Sequence, residues 1–464
     1  MMTQSIGSRL ELLAAHELRS AMQGELVLAG EEAYPSVRQI WNGAVDFQPA
    51  LFALCQNVKD VQSAVRFARS HHLPLSVRGG GHDWAGRALR DGGLVIDLSC
   101  MRDIEVDVSK EVATIGGGAT GTELAAAITP LGLAALTPNV GAVGMAGFLT
   151  AGGYGGLTTR FGLAVDSLLE AQLVLADGRV VWANASHNDD LFWAIRGGGG
   201  NFGVVTSMRV RLYPVREFLA GLILFPWSEA GIVLRGYAEM MSSAPDELSM
   251  QAGQLPTPDG TKVLFVTPLW TGDRAEGEKY VRCIENLSAP LSTQVAPMSF
   301  SELLNLYNSR VVNGRHYALR SRWLDDLTPD VISAVAAAGS VRTSPHSFIV
   351  FHHLHGPGTR VASDATAFHL RRDHFMLEIG AAWEASTDAD AIWHRRWADD
   401  LSSKVEPFSL PGGYANFLTT HDHDQVDAAY GDNARRLRQL KRKFDPDNVF
   451  SSAIPLPNIA HETR

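Results

Sequence analysis

Cysteine is scarce in this chain: Cys55, Cys100 and Cys283 are widely spaced along 464 residues and odd in number. That usage argues against a disulfide framework and fits a reducing, cytoplasmic setting. Long apolar runs are missing as well. No stretch approaches the ~18–20 continuous apolar residues of a membrane span, and Met1 to Leu13 lacks both the basic start and the apolar stretch of a signal peptide. Positive charge is in deficit, with 40 basic against 50 acidic side chains and a formal net charge of −10. No Lys/Arg block with interleaved aromatics interrupts that balance, so neither nucleic acid nor a membrane is an expected partner. Internal repeats and low-complexity linkers are also absent. What remains is an ordinary globular composition, 45% hydrophobic and 19% charged, in a chain long enough for about two or three domains.

Glycine, by contrast, is abundant at 44 residues, and its clusters lie between about residues 79 and 203. Glycine lets backbone approach a ligand closely and permits positive φ, so dense groups in one part of the chain point to one large bound ligand. Around them, apolar spacing predicts helices over Val58–His71 and Thr122–Thr129. It predicts strands over Leu75–Val77, Leu94–Leu98, Ala113–Ile115, Leu173–Leu175, Val180–Trp182 and Val204–Leu212. Past Pro214 the glycine clusters stop. Helical patterns (Ala230–Met241, Ala275–Leu287, Pro329–Ala338) then alternate with strand-like runs (Gly221–Leu224, Lys262–Thr267, Phe348–Leu354, Phe375–Ala382). An amphipathic helix over Ala428–Phe444 ends at Asp445-Pro446.

Two segments match the spacing G-x-G-x-x-G. Gly116, Gly118 and Gly121 follow a strand and open a helix, but no Asp or Glu stands between Glu123 and Asp166. The acidic ribose ligand of a dinucleotide fingerprint is therefore missing, and a structural strand-to-helix turn is the expectation. Gly198, Gly200 and Gly203 feed a strand instead of a helix and form no Rossmann loop. The informative cluster is Arg78-Gly79-Gly80-Gly81-His82. A strand delivers three consecutive glycines, whose N–H groups can form a nest for an anion such as pyrophosphate, and a histidine follows directly.

Taken with its context, that cluster resembles the FAD-binding domain of the vanillyl-alcohol-oxidase superfamily. More narrowly, it resembles the berberine-bridge-enzyme-like and 6-hydroxynicotine-oxidase-like branch. The resemblance runs from Phe47 to Leu98, through Gly152-Gly153-Tyr154-Gly155 and Arg160 to Asp166, and through Asp190 to Thr206. It closes with Gly413-Tyr414-Ala415-Asn416-Phe417 and Tyr430 to Phe450, in the family's order and over nearly the whole chain. It implies an α+β, two-domain FAD-binding (PCMH-type) fold with an antiparallel-sheet substrate domain. Residues 1–214 (core about 47–214) would form the FAD domain, 215–410 the substrate domain, and 411–464 a segment returning to the FAD domain.

The resemblance also implies roles. Arg78, Gly79, Gly80, Gly81 and His82 would embrace the pyrophosphate, with His82 bonded to the flavin 8α carbon. Gly144, Gly147, Gly152, Gly153 and Gly155 would line the second phosphate loop, Val205 would lie near the adenine or ribose, and Tyr414 and Asn416 would reach the isoalloxazine. A histidyl link tends to raise the flavin potential, which favours hydride acceptance. Many relatives add a second, cysteinyl link about a dozen residues before the glycine loop. An ungapped match puts Val140 there, so a single link is expected.

On the substrate side, period-two alternation in Phe348–His355 sets Phe351, His353 and His355 on one face and Val350, His352 and Leu354 on the other. Either face carries histidine suited to base chemistry near neutral pH. His353 and His355 are the candidate bases, Tyr154 is placed to donate a hydrogen bond to substrate, and Tyr414 is a further catalytic candidate. Arg371 and Glu378 are weaker ones. No metal site is expected, although His421-Asp422-His423-Asp424 has metal-like composition. The activity implied is that of an FAD-linked oxidase. Hydride would pass from an alcohol or amine carbon of a small organic substrate to flavin N5, and electrons to O2. Two other readings stand beside it: an oxygen-insensitive dehydrogenase or cyclase, with Met145 near the oxygen gate, and a non-catalytic flavin-binding protein.

Overall fold

The computed structural model describes residues 15–257, 259–306, 311–385 and 387–457. Three sheets organise them. A four-stranded sheet runs in the order Glu25–Leu28, Leu51–Leu54, Leu94–Asp97, Leu75–Arg78, with its first pair antiparallel and the others parallel. The helix Val58–Ser70 links the second strand to Leu75–Arg78. It is started by Asn57, whose side chain accepts from the N–H groups of Lys59 and Asp60, and Val61, Ala64, Val65 and Ala68 form its buried stripe. A six-stranded sheet is built around the long strand Val204–Tyr213, which pairs antiparallel with Val112–Gly116 on one side and Leu168–Val174 on the other.

The third sheet has eight strands, all paired antiparallel, and uses chain from Phe218 to Leu410. At its centre lie Leu248–Gln254, Phe348–Leu354, His374–Trp383 and His316–Leu324, in that order. The helices Ala230–Met241, Pro329–Ser340 and Asp388–Val405 contribute Val233, Val335 and Leu401 to the apolar cluster on one face. Phe351, Leu377 and Ile379 meet them from the strands. Each such buried side chain contributes about 1.5–3 kcal/mol relative to exposure. The opposite face therefore receives the alternate residues, His352, Met376 and Glu378, and faces the two smaller sheets.

One expectation holds and another needs correction. Gly116 to Gly121 is a strand-to-helix turn, as composition suggests, and Thr120 and Glu123 close a reciprocal capping box at the helix start. The helix expected over Ala428–Phe444, however, is two helices, His423–Tyr430 and Ala434–Phe444. Gly431, at φ 45°, breaks them where a Cβ would fall 2.4 Å from the His369 ring. The second helix carries buried Lys441, whose Nζ donates to the carbonyl of Asn201 at 2.8 Å and to Asp445 at 2.6 Å. This bond pins the C-terminal segment to the glycine-rich stretch before Val204. A second tie joins the eight-stranded sheet to the rest: buried Arg371 grips Asp166 bidentately at 2.7 and 2.9 Å.

Candidate active site

A cavity of about 360 Å³ lies where the three sheets meet. Its first wall is the turn after strand Leu75–Arg78. There Gly79, Gly80 and Gly81 present backbone to the cavity, with Gly81 at φ 66°. Gly80 and Gly144 are pressed together: a Cβ on either would stand 2.5 Å from the backbone nitrogen of the other. Neither position can carry a side chain without moving backbone. Arg78 is placed otherwise than expected. Its guanidinium turns from the cavity to buried Asp97, its register partner on the next strand, and to the Val37 carbonyl. A buried carboxylate needs such a partner, so Arg78 braces the base of the loop.

The second wall includes Val140, Gly144 and Gly147, and Val205 lines the cavity from the long strand. At Gly147 a Cβ would meet nothing within 4 Å, so this glycine leaves the cavity open. Gly152, Gly153 and Gly155 do a different job. Added Cβ atoms there would strike the Phe368 ring at 2.7 Å, Ala164 at 2.3 Å and the Thr137 carbonyl at 2.2 Å. They permit tight packing behind Tyr154 and do not line the cavity. Gly199, Gly200 and Gly203 do line it. The G-x-G-x-x-G spacing of Gly198, Gly200 and Gly203 gives no sign of this role. Met145 is fully buried in the core while Gly144 and Ala146 line the cavity, so the side chain named for an oxygen gate points elsewhere.

His82 sits at the cavity wall with its Nε2 buried and without a hydrogen-bond partner among the described residues. Burial lowers its pKa to about 4, so the ring is neutral near pH 7. A buried polar atom left unpaired is costly and asks for a partner that the described residues do not supply. The orphaned nitrogen, the side-chain-free cradle and an apolar-walled cavity continuing past them together fit a large planar cofactor with a diphosphate.

At the far end the wall becomes side chains. The Tyr414 hydroxyl oxygen accepts from the Gly153 N–H at 3.2 Å and from Asn416 Nδ2 at 2.9 Å. Two donors on one oxygen leave its own proton free for the cavity, while burial raises its pKa to about 12. Tyr154 contacts the Tyr414 ring edge-on at 5.1 Å, and its hydroxyl lies 2.8 Å from His374 Nε2. His374 Nδ1 lies 2.7 Å from the Arg372 carbonyl. A carbonyl only accepts, and burial holds the His374 pKa at about 4. Nδ1 therefore carries the single proton, Nε2 accepts, and Tyr154 donates to it. Tyr154 lines the cavity with its proton already engaged by His374, so the donor role expected of it toward a substrate is taken up within the protein.

His352 and Glu378 also line the cavity. Gln251 Nε2 meets His352 Nδ1 at 2.7 Å, leaving Nε2 to donate to Glu378 Oε2 at 3.1 Å. His353 and His355 are absent from this wall. Alternation turns them to the other side, where His353 stacks on Phe375 at 4.2 Å and meets Asp373 at 2.6 Å. His355 meets His353 at 3.1 Å and the Pro245 carbonyl at 3.2 Å. The strand was rightly placed, but its cavity-facing histidine is His352.

Comparison with known proteins agrees with this geometry. Residues 49–184 match the FAD binding domain model, and residues 413–457 match the model described as berberine and berberine like. The chain is 33% identical to (R)-6-hydroxynicotine oxidase of Paenarthrobacter nicotinovorans over 93% of this chain and 96% of that one. It is 35% identical to an FAD-linked oxidoreductase of Aspergillus fumigatus over 95% of this chain and 98% of the relative. Among solved structures, 6-hydroxy-D-nicotine oxidase from Arthrobacter nicotinovorans superposes with a TM-score of 0.84. That alignment is 27% identical and covers 94% of this chain and 98% of the other. The fold is shared with a berberine-bridge-like protein of Physcomitrella patens, at TM-score 0.85 and 23% identity over 96% and 99% of the two chains.

Proposed function

The chain belongs to the FAD-linked oxidoreductase family of the berberine-bridge and 6-hydroxynicotine-oxidase type, and we propose that it is an oxidase of alcohol or amine carbons in small organic molecules. The observation that carries this reading is the continuity of one cavity, from the glycine cradle and His82 to Glu378, Tyr154 and Tyr414. Gly79 to Gly81, Val140, Gly144, Gly147 and Val205 would hold FAD, and His82 would carry a single covalent link. The cysteines support single attachment. Cys55 is buried in the N-terminal core, Cys100 and Cys283 are exposed, and none lines the cavity. When bound, FAD supplies the hydride acceptor and passes the electrons on to dioxygen.

The chain's own residues supply the proton chemistry and the positioning. Glu378 accepts the proton of a substrate hydroxyl or amine at the oxygen not engaged by His352, and the His352 N–H steadies the carboxylate. Tyr154 accepts a hydrogen bond from the substrate through its lone pairs, and Tyr414 donates one. The eight-stranded sheet covers the cradle from the side of His352, Met376 and Glu378. On this reading residues 1–214 with 411–464 form the FAD domain and 215–410 the substrate domain.

The flavin itself provides a test for which the substrate need not be identified. The purified protein is expected to be yellow and to retain its flavin in the acid-precipitated pellet. Reduced anaerobically with dithionite and mixed with air-saturated buffer, it should reoxidise rapidly and release hydrogen peroxide. Flavin in the acid supernatant rejects the link, and sluggish reoxidation replaces the oxidase with a dehydrogenase.

A further inference from the structure

The His82 ring is held in a stack, and its Nε2 finds no hydrogen-bond partner among the described residues. It lies on Trp41 with centroids 4.1 Å and planes 13° apart, and Trp41 lies on Tyr317 at 4.0 Å and 23°. Two rings cannot both sit 4 Å above the same face, so Trp41 is sandwiched between them. The sandwich joins three separate pieces of chain. Trp41 N–H donates to the Gly81 carbonyl at 3.0 Å, which ties the tryptophan to the cradle, and Gly314 N–H donates to the Trp41 carbonyl at 2.9 Å. Asn42 then clamps the start of strand His316–Leu324. Its Oδ1 accepts from Tyr317 N–H at 2.9 Å, and its Nδ2 donates to the Tyr317 carbonyl at 3.0 Å and to the Trp84 carbonyl at 2.5 Å. Gly43 fits there for lack of a side chain, because a Cβ would stand 2.1 Å from the Gly314 carbonyl.

We propose that Trp41, backed by Tyr317, is the positioning residue that fixes the plane of the His82 ring and so presents a ring nitrogen to the flavin 8α carbon. The proposal rests on the covalent reading given above. Bond formation joins that nitrogen to the carbon. One hydrogen of the 8α methyl and the imidazole's own hydrogen pass with two electrons to the isoalloxazine, which returns them to dioxygen as hydrogen peroxide. The neutral His82 ring keeps the lone pair such a step needs. Because Tyr317 belongs to the eight-stranded sheet, the stack is complete only when that sheet is docked on the cradle. Attachment is thereby coupled to assembly of the two halves of the molecule.

Full-length protein produced under riboflavin limitation, then given FAD, tests this through the growth of acid-insoluble flavin with time. Trp41→Leu should slow attachment about 3- to 10-fold, the range that a ring–ring contact supplies. FAD bound per chain at saturation should stay near native, and Trp41→Phe, which restores a stacking ring, should recover most of the rate. Tyr317→Leu should slow attachment by less than Trp41→Leu. If Trp41→Leu does not give soluble protein, Tyr317→Leu decides alone: slower attachment supports the stack, and a native rate overturns it. A native rate in Trp41→Leu also overturns it. Wholly acid-soluble flavin in the unaltered protein instead removes the covalent reading, and this proposal with it.

Discussion

The two walls of the cavity are made of different material. On the cradle side, Gly79 to Gly81, Gly144 and Gly147 offer backbone, and two of these glycines approach until neither tolerates a Cβ. On the sheet side, His352, Met376 and Glu378 offer side chains from strands whose backbone is satisfied within the ladder. A backbone wall is shaped by what is missing from it, and almost any substitution closes it. A side-chain wall can change one residue at a time without disturbing the strand beneath. The chain thus commits rigidly to its cofactor and leaves its substrate chemistry adjustable.

The sharpest way to break this comparison is Gly80→Ala. Its Cβ would stand 2.5 Å from the Gly144 nitrogen, a distance that forces backbone apart. A colourless protein without FAD is expected, and normal flavin content would show that the cradle is not what holds the cofactor. Glu378→Gln probes the other wall. With any substrate that bleaches the native flavin anaerobically, stopped flow should find reduction slowed about 100- to 10,000-fold, with flavin content unchanged. Loss of flavin, or a native rate of reduction, would erase the distinction between the walls.

The smallest effect concerns the seam between them. Buried His374 keeps its pKa near 4, whereas the unfolded chain regains about 6.5. Between those values the unfolded state binds a proton that the folded state does not. Stability is therefore full above pH 6.5 and falls as pH drops toward 4, by on the order of 3 kcal/mol from this group. Melting curves at pH 7.5 and 5 should show a smaller acid loss for His374→Gln than for the native protein. Equal losses would mean that other groups set the acid limit.

How much of this was legible in the sequence follows the same division. The turn at Gly79-Gly80-Gly81 could be read directly, because consecutive glycines report a backbone constraint in the residues themselves, whereas a role for His82 came only with the family resemblance. The strand over Phe348–Leu354 and its alternation were legible too, and the helix Ala230–Met241 coincides with its periodic pattern. Which face of the strand turns to the cavity was not. Both faces are largely buried, one under helices and one under the cradle, so polarity gives no sign of direction. His353 and His355 read as well as His352 for that reason. Arg78 misled in another way: the buried carboxylate that claims it, Asp97, is 19 residues away. The proton on His374, which decides what Tyr154 can offer, depends on the carbonyl of Arg372 and on no side chain.

The C-terminal segment adds a consequence in time. Tyr414, Phe450 and Ile454 line the cavity, and Lys441 fastens this segment to Asn201, yet all are synthesised after the cradle and the eight-stranded sheet. Translation is slow compared with local folding, so the earlier parts wait with one side of the cavity open while the ribosome still shields the rest. The enclosure is finished only after Ile454 has emerged. A ligand held in this cavity is therefore enclosed only once Ile454 has left the ribosome, and an interruption between Leu410 and Ile454 leaves all three sheets made and the chamber unclosed.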